Sequence, residues 1–256
     1  MMPAKYIPLW TLFSKEVMRF LKVGFQTVLG PAISSLLFLA VFALALERSI
    51  ETINGVKFVN FILPGLIMMT ILQNAFFNTA SSIGQSKFQG NIVDILMSPL
   101  SDIELTIGYI GGSIVRGLIC GIVTSIIISL FVSISVYSYS ALVFYSLMGS
   151  IMMGSMGTMV GIWAEKWDQQ EWIINFFVLP LTFLSGTFYS ISRLPEFWKN
   201  LSAFNPFFYN IDGFRYAFIG KSDSSLLIGG TTLLILNIIL IYLCYLMFRS
   251  GYKLRS

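Results

Sequence analysis

The sequence predicts an all-α integral membrane protein. It is read as one domain over 1–256, with six transmembrane helices, an N-terminal amphipathic interfacial helix and paired external re-entrant helices between spans 5 and 6. Three observations carry this prediction. Of 256 residues, 56% are hydrophobic and 11% charged, whereas a soluble domain carries about 25% charged residues. Six stretches hold the roughly 20 mostly apolar residues that a helix needs to cross a bilayer. Those stretches are apolar on every side, not alternating with period two as a closed β-barrel requires.

The first 24 residues come before any span. Thr11, Lys15, Arg19, Lys22 and Gln26 follow spacings of 4, 4, 3 and 4 and so share one helical face; Phe13, Val17, Phe20 and Gly24 fall on another, beside Trp10. Such a helix lies in the headgroup plane with its basic face on anionic lipid; the plainer alternative is a helical extension of the first span. No uninterrupted apolar stretch precedes a small-residue cleavage site, so the segment is not a cleavable signal peptide.

The spans are expected at about 25–46, 58–83, 117–136 (after a helical extension from 105), 141–164, 173–189 and 226–248. Pro180 implies a kink in the fifth. Basic residues at Lys5, Lys15, Arg19 and Lys22, and again at Arg249, Lys253 and Arg255, outnumber those of the loop 47–57. Positive-inside counting therefore places both termini in the cytoplasm. The segment 190–225 carries Arg193, Lys199, Arg215 and Lys221 on the outside, against this bias, but it also holds Glu196, Asp212 and Asp223 and is rich in aromatics.

Two loops then face the cytoplasm. The first, 84–104, contains QSKFQGNIVDILMSPLSDIE, in which Phe88, Ile92 and Ile95 or Leu96 form a short apolar stripe while Lys87, Asn91, Asp94 and Ser98 point elsewhere. Pro99 ends it, because proline disfavours helix in the residue before it. The second, AEKWDQQEW, is compact and charged. Both read either as solvated connectors or as docking surfaces for a cytoplasmic partner. Between the fifth and sixth spans, 190–225 holds two helical pieces split at Asn205-Pro206, each too short to span and suited to an interfacial or re-entrant course.

The chemistry is sparse. There is no histidine and no metal-ligand cluster, and Cys120 and Cys244 lie in separate apolar runs as small fillers. A net charge of +4 spread over short loops suits anionic membrane lipid and gives no case for nucleic acid. Gly220-Lys221-Ser222 lacks the glycine five positions earlier that a phosphate-binding loop needs, since Arg215 stands there. None of the twelve acidic residues falls well inside a predicted span, so proton- or cation-coupled transport lacks its usual relay. Arg116 is expected at the cytoplasmic end of the third span, snorkelling to water. Thr70, Asn74 and Asn78, four apart, with Gln73 and Ser81 beside them, make a polar stripe in the second span. It reads equally as interhelical hydrogen bonding or as the lining of a substrate path. Gly108-x-x-x-Gly112, Gly117-x-x-x-Gly121 and Gly157-x-x-x-Gly161 are ridges for close helix approach.

Three segments carry a family resemblance: FILPGLIMM at 61–69, SKFQGNIVDILMSPLS at 86–101 and FLSGTFYSISRLPEFWKNLSAFNPFFYNIDGFRYAFIG at 183–220. With them the whole chain resembles the ABC-2 type transporter permeases, and among these the YadH-like inner-membrane permeases. The resemblance implies a six-span half-transporter of the bacterial inner membrane. It would pair with a second copy or a related permease and bind a separate cytoplasmic ABC ATPase. ATP and magnesium would sit on that partner, leaving no cofactor and no catalysis in this chain. By the same resemblance Lys87, Phe88, Gln89, Asn91, Ile92, Asp94 and Leu96 correspond to the coupling helix, and Glu165, Lys166 and Asp168 to a second ATPase contact. Pro195, Trp198, Asn205, Pro206, Gly213 and Arg215 mark the re-entrant helices that cap the exit. The expected activity is ATP-driven outward export of an amphipathic, lipid-linked, glycan or drug-like compound, with Thr70, Gln73, Asn74 and Asn78 along its candidate path. The alternative is a passive channel or flippase with no ATPase.

Overall fold

The computed structural model describes residues 6–46, 52–53, 55–191 and 194–254. Helix α1 (Ile7–Lys22) leads through a π turn (Phe25–Leu29) into α2 (Gly30–Leu46). Pro31 has no N–H to offer the Thr27 carbonyl one turn back; the Cys120 thiol lies 3.5 Å from that oxygen and donates to it. A two-stranded hairpin, β1 (Thr52–Ile53) and β2 (Val56–Lys57), opens α3 (Phe58–Phe88). Then come α4 (Ile92–Leu96), α5 (Asp102–Ser129), α6 (Tyr139–Trp163), α7 (Trp167–Ile173), a second π turn (Ile174–Val178) and α8 (Leu179–Phe183). The chain closes with α9 (Glu196–Ala203), α10 (Pro206–Ile219) and α11 (Leu226–Ser250).

Helix α3 is the axle. Its most apolar window is 83% buried, against 22% for α2 and for α11. Helices α5 and α6 clasp it through the small-residue ridges. Gly117 and Gly121 receive Ile71 of α3, while Gly157 and Gly161 admit the α3 backbone at Phe76 and Ala80. Gly108 and Gly112 instead receive Leu12 and Glu16 of α1. Helix α1 thus packs lengthwise on the first half of α5. One end of the bundle, here the tail end, gathers the last turn of α3, the first of α5, the last of α6 and the C-terminal tail. The β1–β2 hairpin marks the opposite, hairpin end.

Four expectations change. Among the described residues five helices, not six, are long and apolar enough to span. In the fifth predicted span the helical path from Trp167 to Phe183 consists of 7, 5 and 5 residues, about 25 Å at 1.5 Å per residue, against the roughly 30 Å of hydrocarbon. Beyond it the chain turns at Gly186 (φ 75°), packs Thr187 on Gly65 of α3, and reaches the hairpin end irregularly, where Ser190 and Ile191 donate to Asp223. Helix was expected throughout because this run is apolar. Burial against α3 lets the backbone leave the helix there.

The third span, expected over 117–136, is α5 and ends at Ser129. A capping box between Ser101 and Glu104 sets its start. The segment Val132-Ser133-Ile134-Ser135-Val136 has the alternating, β-branched pattern that suits extended chain. It ends with Tyr137 and Ser138 donating to the Ala217 carbonyl. Arg116 therefore lies in mid-helix, not at a mouth.

The 87–98 segment is not one helix. Helix α3 runs through Lys87 and Phe88, Gly90 breaks it at φ 77°, and α4 is a single short turn. Finally, the basic face of α1 does not lie wholly on lipid, since Arg19 turns into the bundle beside a fully buried Glu16.

Candidate functional site

Two polar regions meet on α3. The first is a ladder along its face toward α1, α2 and α5. Ser82 Oγ donates to Glu16 Oε1 at 2.6 Å. Arg19 lies 3.5 Å from Glu16 Oε2 and donates to the Asn78 carbonyl at 2.6 Å, to Asn78 Oδ1 at 3.1 Å and to Ser81 Oγ at 3.2 Å. One turn further, Arg116 donates to Asn74 Oδ1 at 3.3 Å, and Asn74 Nδ2 donates to the Thr70 carbonyl at 2.9 Å. The Thr70 and Ser35 hydroxyls are 2.7 Å apart. Carbonyl, carboxamide, hydroxyl and carboxylate acceptors thus hold a half-buried guanidinium at Arg19, and a carboxamide holds a buried one at Arg116, where a bare charge would be costly.

The stripe read as even between packing and path is divided. Asn78 is an internal bracket for Arg19. Thr70, Gln73, Asn74 and Arg116 border a cavity of about 450 Å³ between α2 and α3. Glu16 and the inward turn of Arg19 escaped the sequence reading. The spacing of Lys15, Arg19 and Lys22 suggests a basic surface, and only the Gly108–Gly112 groove of α5 shows that α1 is seated against protein. The available signal was the lone acid at 16, which falls between the basic face and the apolar face of the helix.

The second region is the tail end, which brings the two cytoplasm-facing loops of the sequence reading together. Lys87 Nζ donates to the Ile162 carbonyl and to the Ala164 carbonyl at 2.7 Å, capping the C-terminus of α6. Phe88 meets Trp167 edge to face at 5.0 Å, and Gln170 donates to the Ala80 carbonyl at 2.9 Å. Lys253 lies 2.7 Å from Glu165. That hydrogen bond and charge hold the Glu165 carboxyl below the usual glutamate range and raise the Lys253 ammonium.

Ile92 is buried with Leu12, Ile83, Leu105 and Tyr109 under this platform. Of the expected apolar stripe, Phe88 and Leu96 are half-buried and Ile92 is unavailable; the outward apolar side chains are Val93 and Met97. Gln89, Asn91, Asp94, Lys166 and Asp168 are exposed.

At the hairpin end α9 and α10 form a helical hairpin whose vertex is Asn205-Pro206. Asn205 Oδ1 accepts from Phe207 N at 3.1 Å, and its Nδ2 donates to the Leu181 carbonyl and Ser185 Oγ at 3.2 and 3.0 Å. Pro206 takes the first helical position, where no N–H is needed. Asn210 lies against Met152, midway along α6. Gly213 receives the Tyr145 ring, and Gly220 closes α10 beside Tyr137. The vertex is therefore deep in the bundle and α10 leads back out. Arg215 stacks 4.0 Å over Phe61, lies 3.9 Å from Asp212 and donates to the Gly186 carbonyl. Asp212 in turn accepts from Asp223 N and Ser224 N at 2.8 and 2.9 Å. Pro195 caps α9, and Trp198 is exposed beside it.

Known proteins match this sequence. Residues 8–219 match the family described as ABC-2 type transporter. The chain is 34% identical over 256 residues, 100% of both chains, to the Inner membrane transport permease YadH of Escherichia coli (strain K12) and likewise to that of Shigella flexneri. It is 19% identical over 225 residues to Nodulation protein J of Rhizobium leguminosarum bv. viciae, covering 86% of this chain and 85% of that one. A match over this much of its length, joined to a full-length relative, means that the chain belongs to the ABC-2 type transporter family.

Proposed function

We propose that this chain is the membrane-spanning subunit of an ABC exporter of the bacterial inner membrane, moving an amphipathic, lipid-linked, glycan or drug-like compound outward. The observation that carries the reading is the single platform at the tail end. There the α3–α5 loop, the α6–α7 loop and the C-terminal tail lock onto one another while Val93 and Met97 stay exposed. Force applied by a docked protein to α4 would pass directly into α3, the central helix. A passive channel has no use for such a platform.

In this reading ATP and magnesium belong to a separate ABC ATPase, and two permease chains make the transporter. Both termini are cytoplasmic, the chain 167–191 makes the remaining traverse as part helix and part irregular segment, and α9–α10 is the external re-entrant pair. The roles of Gln89, Asn91, Asp94, Lys166 and Asp168 as ATPase contacts rest on the family resemblance and on their exposure.

The experiment is co-expression with the cell's ABC ATPases, followed by recovery of the tagged permease from the membrane fraction. An ATPase should co-purify, and ATP hydrolysis should appear only with it. Hydrolysis by the purified chain alone, or transport unchanged in cells lacking every co-purifying ATPase, would reject the proposal.

A further inference from the structure

The cavity between α2 and α3 has a chemical bias. Its polar lining includes Arg116, Asn74 and Gln73, with the hydroxyls of Ser34, Ser35 and Thr70. Leu66, Met69 and Phe77 are interleaved with Gln73 and Asn74 along the same face of α3. Arg116 is 8% exposed, donates to Asn74 Oδ1 and lies in hydrogen-bonding contact with the Cys120 thiol, and among the described residues it has no ion pair with a carboxylate. Among the buried polar atoms left without a partner along this ladder are Arg19 Nε, Gln73 Nε2, Asn78 Nδ2 and Arg116 Nε, and every one is a hydrogen-bond donor. The one buried acid nearby, Glu16, is already engaged by Arg19, Lys15 and Ser82. Arg116 thus brings a positive charge without a carboxylate partner to the cavity, Gln73 Nε2 and Arg116 Nε are buried donors without a partner at its margin, and Leu66, Met69 and Phe77 supply hydrocarbon beside them. Its volume of about 450 Å³ lies in the range of ligand pockets, roughly 300–1,000 Å³.

We infer that this cavity is a binding site for an amphiphile with an anionic headgroup, its phosphate or carboxylate on Arg116 and Gln73 and its tail against Leu66, Met69 and Phe77. A guanidinium offers the planar paired donors that carboxylate and phosphate oxygens match, and an anion restores the charge balance that the protein leaves open. The inference rests on the export reading for its meaning, because it narrows the transported class to anionic amphiphiles. Binding itself is measurable on the permease alone.

A buried charge retained for function is one that stability would gladly lose. Arg116→Gln keeps a donor for Asn74 and removes the charge. The test titrates the purified full chain, held in neutral dodecyl maltoside, with dodecyl phosphate, laurate, inorganic phosphate and phosphatidylglycerol, and reads binding by calorimetry and stability by thermal melting. Wild-type protein should bind dodecyl phosphate or laurate more tightly than inorganic phosphate or phosphatidylglycerol. In Arg116→Gln that affinity should fall by about tenfold or more, as expected for losing a charge-assisted contact, while Tm holds or rises. Arg116→Lys should recover part of it.

Equal affinity in wild type and Arg116→Gln would overturn the inference, as would a lower Tm with binding unchanged, which would make Arg116 structural. Phosphatidylglycerol binding as tightly as dodecyl phosphate would assign the cavity to a bilayer lipid, and inorganic phosphate binding as tightly would remove the role of the tail; either result overturns it. Loss of the ATPase partnership would reject the export reading and leave these titrations untouched.

Discussion

Single side chains decide whether α1 is a membrane float or part of the bundle. Arg19 makes three hydrogen bonds to Asn78 and Ser81 of α3, and a bond to a charged group contributes about 1.5–3 kcal/mol. Arg19→Ala should therefore cost about 2–3 kcal/mol and expose the Lys22–Gly24 junction to protease, read by melting and limited proteolysis. A helix merely resting on lipid would show lost vesicle affinity and an unchanged melt.

The Glu165–Lys253 pair is a second residue-scale case, and it lies outside the membrane-spanning helices. Glu165 is depressed by Lys253, so its contribution is present above the unfolded value and is lost as pH falls through the lowered pKa. Lys253 is raised, so its contribution is present below the unfolded value and is lost as pH rises through the raised one. The tail tether should hold across neutral pH and open only when acidification passes below the usual glutamate range. Hydrogen exchange of the tail amides, corrected for the intrinsic pH dependence, should then rise in wild type, whereas in Glu165→Gln it should already be high at neutral pH.

At the scale of elements, the segment α3–Gly90–α4 shows why a sequence stripe is an incomplete guide. Phe88, Ile92 and Leu96 have the spacing of one helical face, but Gly90 adopts φ 77° and turns α4 away from the axis of α3. Ile92 then points into the core and Met97, 81% exposed, points out. Ile92→Asp should lower folded yield, because it buries an unpaired carboxylate. Met97→Asp and Val93→Asp should leave expression and melting unchanged and reduce recovery of the ATPase, since an apolar hot-spot anchor contributes 2 kcal/mol or more. Equal ATPase recovery in both outward variants would make α4 a connector. The α9–α10 hairpin was better marked, because Asn205-Pro206 is both an N-cap and a first-turn proline, a local code that needs no tertiary help.

At the scale of the whole molecule, topology is open to direct test because Cys120 and Cys244 are both buried. Lys199→Cys on α9 should react with an impermeant thiol reagent in intact cells, and Lys166→Cys at the tail end only after lysis. Both positions are exposed, so accessibility reports the side of the membrane. The reverse pattern would invert the orientation and with it the export direction. The exposed apolar faces of α2 (Leu37, Val41, Leu44) and α11 (Ile228, Ile235, Ile239) are the surfaces that lipid or a second permease would cover.

Membrane class, helix number to within one crossing, small-residue contacts and the Asn-Pro vertex were determined by the sequence itself. Each follows from local rules: hydropathy over a span, glycine spacing, proline and asparagine at a helix start. Tertiary structure decided the rest. A charged face on a helix does not say whether water, lipid or protein lies opposite it, and only the fit of Leu12 and Glu16 into the glycines of α5 turned Arg19 inward. An apolar run does not say whether its backbone is helical where α3 shelters it, as at Thr187 beside Gly65. Arg116 became a buried cation facing a cavity because the capping box at Ser101 starts α5 four turns before it. The depth of a charge depends on where its helix begins and what packs around it, and these are non-local properties.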